Sequence, residues 1–370
     1  MLGRKIILSL FILLFTAPFA FSQTEALKGV VNNLAFYRQQ KDLKYLTNAR
    51  KQVDSLIKTK KDSSNVPKSV FRAVVYSSIL YTDSLNKLGV PANTLDQISS
   101  LVDHLSGTNQ IFKYQVEMDF SKRCLGNVYI RNGALALKDK KYETALGNFQ
   151  KAQHFVPRYR RINGYIAYTN NLLGKYTDAA RSYSLLLNTD TLLSEDVIAA
   201  ANVYKTLGDT TKALQVLQKG RKLLPDDDAL LYDEANIYTT RKDYKALAPL
   251  LPQILSKNPK NPQLAFMAAN CYDHLNDGDR AESLYLQAIE LRSRYYDAVF
   301  NLGLLYFKDY TNKDGDQQKN IGRAIQWFEK ANTILPNNLQ CLQLLQWAYL
   351  KTRNEDQLNR INDKLKQLTN

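Results

Sequence analysis

Cysteine is scarce, with three residues in a chain of 370, at positions 124, 271 and 341. An odd count forbids complete pairing within one chain. Each lies in a mostly apolar stretch of helical pattern, so Cys124, Cys271 and Cys341 read as buried free thiols packing as small hydrophobes. Histidine is as rare, at 104, 154 and 274. Without a CxxC pair or an HExxH motif the chain offers no ligand set for zinc. Glycine (15) and proline (10) are few, which excludes low-complexity and collagen-like organisation. No phosphate-cradling GxxxxGK[ST] loop and no dinucleotide-binding GxGxxG turn is present. The isolated histidines stand near no cysteine or serine in a recognisable arrangement, so no convergent acid, base and nucleophile can be assembled. The expectation is a chain that is not an enzyme, with no cofactor and no metal.

Long apolar runs are also missing, apart from one at the start. Arg4 and Lys5 precede an apolar stretch from Ile6 to Phe15, followed by Pro18 and the small-residue pattern Ala20-Phe21-Ser22. Residues 1–22 have the form of a secretory signal peptide, with cleavage between Ser22 and Gln23. The run is shorter than the ~20 residues that span a bilayer, and no cysteine follows it as in a lipoprotein leader. After cleavage no transmembrane segment remains, so an exported chain, periplasmic or secreted, is expected. Hydrophobic residues make up 45% and charged residues 23%, the balance of an ordered protein. The formal charge of +15 is spread along the sequence, densest at Arg158-Tyr159-Arg160-Arg161. Such a surface is either a solvated face or an attraction for acidic polypeptide, anionic glycan or lipid; nucleic acid is not expected.

What the chain does contain is a period. Ala201, Ala235 and Ala269 form one series, continued by Gly303; Asn202, Asn236 and Asn270 form a second; Tyr204, Tyr238, Tyr272 and Tyr306 form a third. Each steps by 34 residues. A 34-residue period on helical segments resembles the tetratricopeptide repeat, a helix–turn–helix unit that stacks into a solenoid. The implied fold is all-α, an α-solenoid of stacked helix–turn–helix repeats. Six repeats are read at 126–159, 160–193, 194–227, 228–261, 262–295 and 296–338. The family pattern asks for a small residue at position 8, alanine at 20, a bulky residue at 24, alanine at 27 and proline at 32. The first repeat meets it with Gly133, Ala145, Phe149, Ala152 and Pro157. Small residues sit where paired helices approach, and bulky ones fill the space between hairpins. Gly174 and Gly208 fall at the turn, where positive φ costs glycine little. Asp209, Asp243 and Asp277 follow them as caps of the second helix. Pro249 and Pro252 should kink the fourth repeat's second helix or delay its start. Asp226-Asp227-Asp228 reads as helix capping.

The sixth repeat carries nine extra residues within 308–322, expected as a long exposed polar turn. With the Trp327-Phe328-Glu329-Lys330-Ala331 motif after it, this is similar to the Sel1-like variant of the family. Asn312, Asp314 and Asp316 suggest a calcium loop, but Gln317 and Arg323 stand where glycine and glutamate are required. Residues 23–125 read as divergent helical hairpins capping one end, over about 24–39, 42–58, 67–88 and 94–105, with a polar turn at 60–65. Residues 339–370 read as capping helices, the last over 355–368.

The resemblance places position 9 of each first helix on the concave face, where asparagines in several family members hold an extended peptide. It therefore implies a peptide-binding row of Asn202, Asn236 and Asn270, flanked by Tyr232 and Phe266 at position 5 and by Lys205. An amide offers a donor and an acceptor to an unpaired backbone. The alternative is that these asparagines bond helix to helix. The expected role is a non-catalytic scaffold for a protein or peptide ligand. A structural part in an envelope or secretion assembly, and binding of anionic surface glycan, are the other readings. If residues 1–22 are a leader, mass spectrometry of the exported chain will find Gln23 as its first residue; an intact Met1 in the membrane pellet would overturn this.

Overall fold

The computed structural model describes residues 25–188, 192–313 and 315–369. The signal peptide reading of 1–22 lies outside these residues, as does Asp314. Among the described residues every regular element is helical. Two compact units divide between Leu186 and Leu187.

The first unit opens with α1 (Glu25–Gln40), α2 (Leu43–Ser55), a short α3 (Lys60–Ser63), α4 (Val66–Thr82) and α5 (Thr94–Ser106). Then come α6 (Gln115–Lys138), α7 (Tyr142–Phe155), α8 (Ile162–Leu172) and α9 (Tyr176–Leu186). Its core is organised on α4, where Val70, Phe71, Ala73, Val74, Val75 and Ile79 are all buried. A helix apolar around most of its circumference must be surrounded. Leu46 and Val53 of α2, Val102 of α5 and Leu125 of α6 belong to the same core.

Three expectations are corrected here. The helix read through to residue 88 stops at Thr82. The Asp83 carboxylate accepts from the backbone N–H of Lys87 (2.9 Å) and Leu88 (2.6 Å), turning the chain into a loop. Such short side chains compete with the helical ladder. Arg131 of α6 donates to the terminal carbonyls of Leu80 and Tyr81, at 2.8 and 2.9 Å, sealing that helix end. The polar turn at 60–65 contains α3, closed by a capping box between Thr59 and Asp62. Finally, α6 starts at Gln115 and passes through Gly126, where the first repeat was expected to begin. Gly126 is a point of close approach: a Cβ there would lie 2.7 Å from Val156 Cγ2.

The second unit comprises α10 (Ser194–Thr206), α11 (Thr210–Leu223), α12 (Asp228–Arg241), α13 (Tyr244–Leu247), α14 (Leu251–Lys257), α15 (Pro262–His274) and α16 (Gly278–Leu291). It ends with α17 (Tyr296–Asn312), α18 (Gln317–Ile334), α19 (Leu339–Thr352) and α20 (Glu355–Thr369). The helix after α12 is broken as Pro249 and Pro252 require: a 3₁₀ turn, Ala248–Leu250, separates α13 from α14. The nine extra residues do not form a long turn. They lengthen the flanking helices, so α17 has 17 residues against 13 in α15, and α18 has 18 against 14 in α16. Lys313 ends α17 in the left-handed region and Asp316 caps α18 through the N–H of Lys319 (3.1 Å). Ile321, within the added part of α18, is buried.

Within the pairs the small residues meet bulky ones. A Cβ on Gly133 would lie 2.6 Å from Phe149 Cε1, and one on Gly303 would lie 2.7 Å from Phe328 Cδ1. Ala167, Ala201 and Ala269 occupy the equivalent places with no exposure, and Tyr183, Leu217 and Tyr285 the bulky ones. The turns repeat as closely. Lys140, Gly174, Gly208, Lys242 and Asn276 all have φ between 55 and 77°. The next residue's N–H then bonds the carbonyl five back, as in Asp209 to Tyr204 (2.9 Å), Asp243 to Tyr238 (2.9 Å) and Asp277 to Tyr272 (2.9 Å). This is the Schellman closure, which satisfies carbonyls otherwise orphaned at a helix end. Asp209, Asp243 and Asp277 then cap the following helix through N–H groups three residues on.

Lys242 holds a conformation that disfavours a side chain by ~1–2 kcal/mol. Part of that is offset by glycine's larger entropy loss on folding. Lys242→Gly should therefore stabilise the chain by ~0.5–1 kcal/mol, measured as a raised midpoint in urea, and Gly208→Ala should do the reverse.

Candidate functional site

Each asparagine of the predicted row is the ninth residue of its own helix: Asn202 in α10, Asn236 in α12 and Asn270 in α15. The starts of α12 and α15 are set by local capping, while α10 begins after Leu193 without a side-chain cap. Asp227 accepts from Leu230 N–H at 3.1 Å before α12, and Asn261 caps α15 with Pro262 in its first turn. Because the starts are in step, the ninth residues are in step. On either side the chain is buried, at Ala201 and Val203, Ala235 and Ile237, Ala269 and Cys271. Asn202 and Asn236 are exposed between them and Asn270 is half-buried.

None of the three side-chain amides bonds another described residue. Their backbone carbonyls, by contrast, each take an extra bond from the residue four on. Thr206 Oγ1 donates to Asn202 (3.0 Å), Thr240 Oγ1 to Asn236 (2.8 Å) and His274 Nδ1–H to Asn270 (2.8 Å). A carbonyl only accepts, so the His274 proton sits on Nδ1; its ring stacks on Tyr244 at 4.2 Å. Thr206 was not singled out in the sequence, although its spacing from Asn202 matches that of Thr240 from Asn236.

The flanking residues divide. Lys205 is half-buried and its amine bonds no described residue. Tyr232 accepts at its hydroxyl from the Asn258 amide, in the loop after α14. Phe266 packs against Tyr295 (5.2 Å) and Tyr285 (6.0 Å). Both rings are thus engaged by neighbouring elements, and the six residues do not close a pocket. A cavity of about 460 Å³ lies elsewhere, beside the helix break, lined by Lys245, Pro249, Pro252, Tyr272, Leu275 and Arg280 among others.

Sequence reasoning also missed a buried polar network. Glu234, buried beside Ala235, accepts from Arg221 Nη1 (2.6 Å) and from the Tyr238 hydroxyl (3.1 Å), and Gln218 donates to that same hydroxyl at 2.8 Å. It ties α11 to α12. Related bonds run from Tyr306 to Glu282 and from Tyr349 to Glu329. Tyr238, Tyr306 and Tyr349 therefore hold consecutive pairs together through their hydroxyls. Glu234 had no periodic signal, since Ala200 and Ala268 occupy its register in the neighbouring repeats. Among the described residues no cluster of three or more metal-ligating side chains is found, and no helix is long and apolar enough to cross a membrane.

Residues 266–338 match the family described as Tetratricopeptide repeat. That stretch carries tetratricopeptide repeats. Around it the described helices are likewise paired, an all-α helical-repeat architecture of the kind that presents extended binding surfaces. No curated protein matches the sequence. Among solved structures, the chain is similar to the C-terminal part of a TPR repeat-containing protein from Cytophaga hutchinsonii. That likeness is 14% identical with a TM-score of 0.49, over 65% of this chain and 95% of that one. MamA is similar at 19% identity with a TM-score of 0.40, over 46% of this chain and 94% of that one. At these values the likenesses carry no functional argument.

All three cysteines are free and buried. Burial pushes the Cys124 thiol up to about 12, and those of Cys271 and Cys341 up to about 11. Above pH ~9 the unfolded chain ionises its thiols while the folded chain keeps them protonated, so stability falls as pH rises through that window. Iodoacetamide at pH 8 should leave the native chain unlabelled and modify all three thiols in urea; rapid native labelling would contradict their burial.

Proposed function

We propose that this chain is an exported scaffold without catalysis that holds an extended segment of a partner polypeptide along the first helices α10, α12 and α15. The observation that carries the reading is the row of three open amides, one per helix, at the ninth residue of each. Asparagine is a poor helix former, and the side-chain amides of these three make no bond to other described residues that would explain it. The alternative of helix-to-helix bonding therefore finds no support. An extended backbone presents unpaired N–H and C=O groups that such amides can meet. Successive packed helices stand ~8–10 Å apart and an extended strand rises ~3.3 Å per residue, so a ligand would meet one amide about every third residue. Export rests on the leader-like residues 1–22. The lengthened pair α17 and α18 we read as a Sel1-like variant repeat.

A phage library of random twelve-residue peptides selected on the full chain supplies the probes. Asn236→Ala should weaken the selected peptides by ~1–3 kcal/mol, the cost of leaving ligand backbone groups unpaired, or about 5- to 150-fold in Kd. Circular dichroism should be unchanged, because an exposed residue contributes little to packing. Equal binding by parent and Asn236→Ala, together with loss of binding on charge reversal at Arg160 and Arg161, would replace this reading with recognition by the basic surface.

A further inference from the structure

The amide row does not stop at Asn270; it changes chemistry. Counting from the first residue of each helix, the ninth residue of α17 is Leu304 and the ninth of α19 is Trp347. One register therefore runs through five first helices as Asn202, Asn236, Asn270, Leu304 and Trp347. Around Trp347 the rings converge. Phe307 meets it edge-on at 4.8 Å and Tyr310 at 5.9 Å, with interplanar angles of 74° and 79°. All three rings are half-buried, while Leu350, one turn after Trp347, is 59% exposed. Phe307 is anchored behind by Phe328 of the core at 6.1 Å.

Tyr310 is present because of the inserted residues. α15 ends at His274, thirteen residues from its start, whereas the fifteenth residue of α17 is Tyr310. The added turn of helix therefore builds an aromatic wall on the register of the amide row. Lys351 stands 5.2 Å over the Trp347 ring and bonds no described carboxylate. The Tyr310 hydroxyl likewise bonds no described residue. Lys308, by contrast, is committed to Asp273 and Asn276.

We infer that this wall is the specificity pocket of the scaffold. It takes a large aromatic or leucine side chain of the same extended partner segment, with a neighbouring carboxylate set against Lys351. The inference rests on the reading of the amide row and adds to it what the ligand must carry. Two arguments favour this occupant. The wall continues the register in which the open amides stand. Its charge is also complementary: the free cation sits on the ring rather than at a distance, where an acidic side chain beside the apolar one would reach it. The spacing follows. Trp347 lies two first-helix steps beyond Asn270, each ~8–10 Å, and at ~3.3 Å per residue the apolar side chain should stand about five or six residues along from the backbone held by Asn270.

The probes are again random twelve-residue phage-displayed peptides selected on the full chain, then made synthetically. Peptides recovered should share one aromatic or leucine residue with an adjacent Asp or Glu. Replacing that residue by alanine should weaken binding to the parent about tenfold or more, as for a buried aromatic anchor. Tyr310→Ala should weaken the unchanged peptide similarly, and should not affect the alanine-substituted peptide, so that the two changes are not additive. Tyr310 is half-buried at a helix end, and Tyr310→Phe serves as the variant that keeps the ring. Trp327→Phe leaves Trp347 as the only tryptophan of the two, and its emission should shift to the blue as the peptide saturates. If Asn236→Ala weakens binding while Tyr310→Ala and the Trp347 emission do not respond, the wall is not part of the site and the amide reading stands alone. If Tyr310→Ala weakens binding and Asn236→Ala does not, the amide reading fails and the wall binds by itself. Enrichment of no peptide, or of peptides with no common apolar residue, overturns the inference.

Discussion

Everything else in this molecule depends on how closely the two helices of a pair can approach. At Gly133 and Gly303 the approach leaves no room for even a methyl group beside Phe149 and Phe328. Where alanine stands instead, at 167, 201 and 269, the methyl is fully buried. Dense packing of this kind is unforgiving of added volume. It also determines which face of each first helix is turned inward, and hence which residues are left outside. The open asparagines are outside because their neighbours in sequence, Ala201, Ala235 and Ala269, are inside.

The turns within each pair, from α10 to α11, α12 to α13 and α15 to α16, maintain that approach. A residue in the left-handed region, a carbonyl bonded from five residues on and a capping aspartate together end one helix and begin the following one within two or three residues. The first helices start in step, α10 at Ser194, α12 at Asp228 and α15 at Pro262, so residues nine places in fall at equivalent points of each. Function on such a scaffold is then a matter of which side chain occupies the repeated point. In the second unit that occupant is an amide on three helices, and the series passes through leucine to tryptophan. The same positions that keep a repeat protein regular can thus be varied without disturbing the packing.

Polar groups inside the stack are few and specific. Glu234 is buried and bonded by both Arg221 and Tyr238, so it contributes registry between α11 and α12. A buried charge with several partners is tolerated, while the same charge with one partner removed is costly. Tyr306 and Tyr349 work on the same principle with a hydroxyl in place of a guanidinium, reaching Glu282 and Glu329. The thiols of Cys271 and Cys341 donate to the carbonyls of Tyr244 (3.4 Å) and Phe328 (3.3 Å).

The all-helical fold, the pairing of helices in the second unit and its turn chemistry were legible in the 34-residue spacing. Small, bulky, glycine and aspartate positions each answer to a local physical need that recurs with the backbone. The break at Pro249 and Pro252 was legible for the same reason, since a missing N–H acts within one turn. Less was legible where the outcome depends on distant neighbours. Whether α4 ended at Thr82 or ran on was decided by Asp83 folding back on Lys87 and Leu88, and by Arg131 arriving from α6. Whether nine inserted residues made a turn or two longer helices was decided by the burial of Ile321 and the capping of α18 by Asp316. The ring wall of Phe307, Tyr310 and Trp347 follows from that decision. The sequence by itself determined what repeats and why, because capping, turn conformation and close approach are set within one pair. Only the tertiary structure decided which side chains stand free and which are spent on packing, because that depends on residues brought together from different pairs.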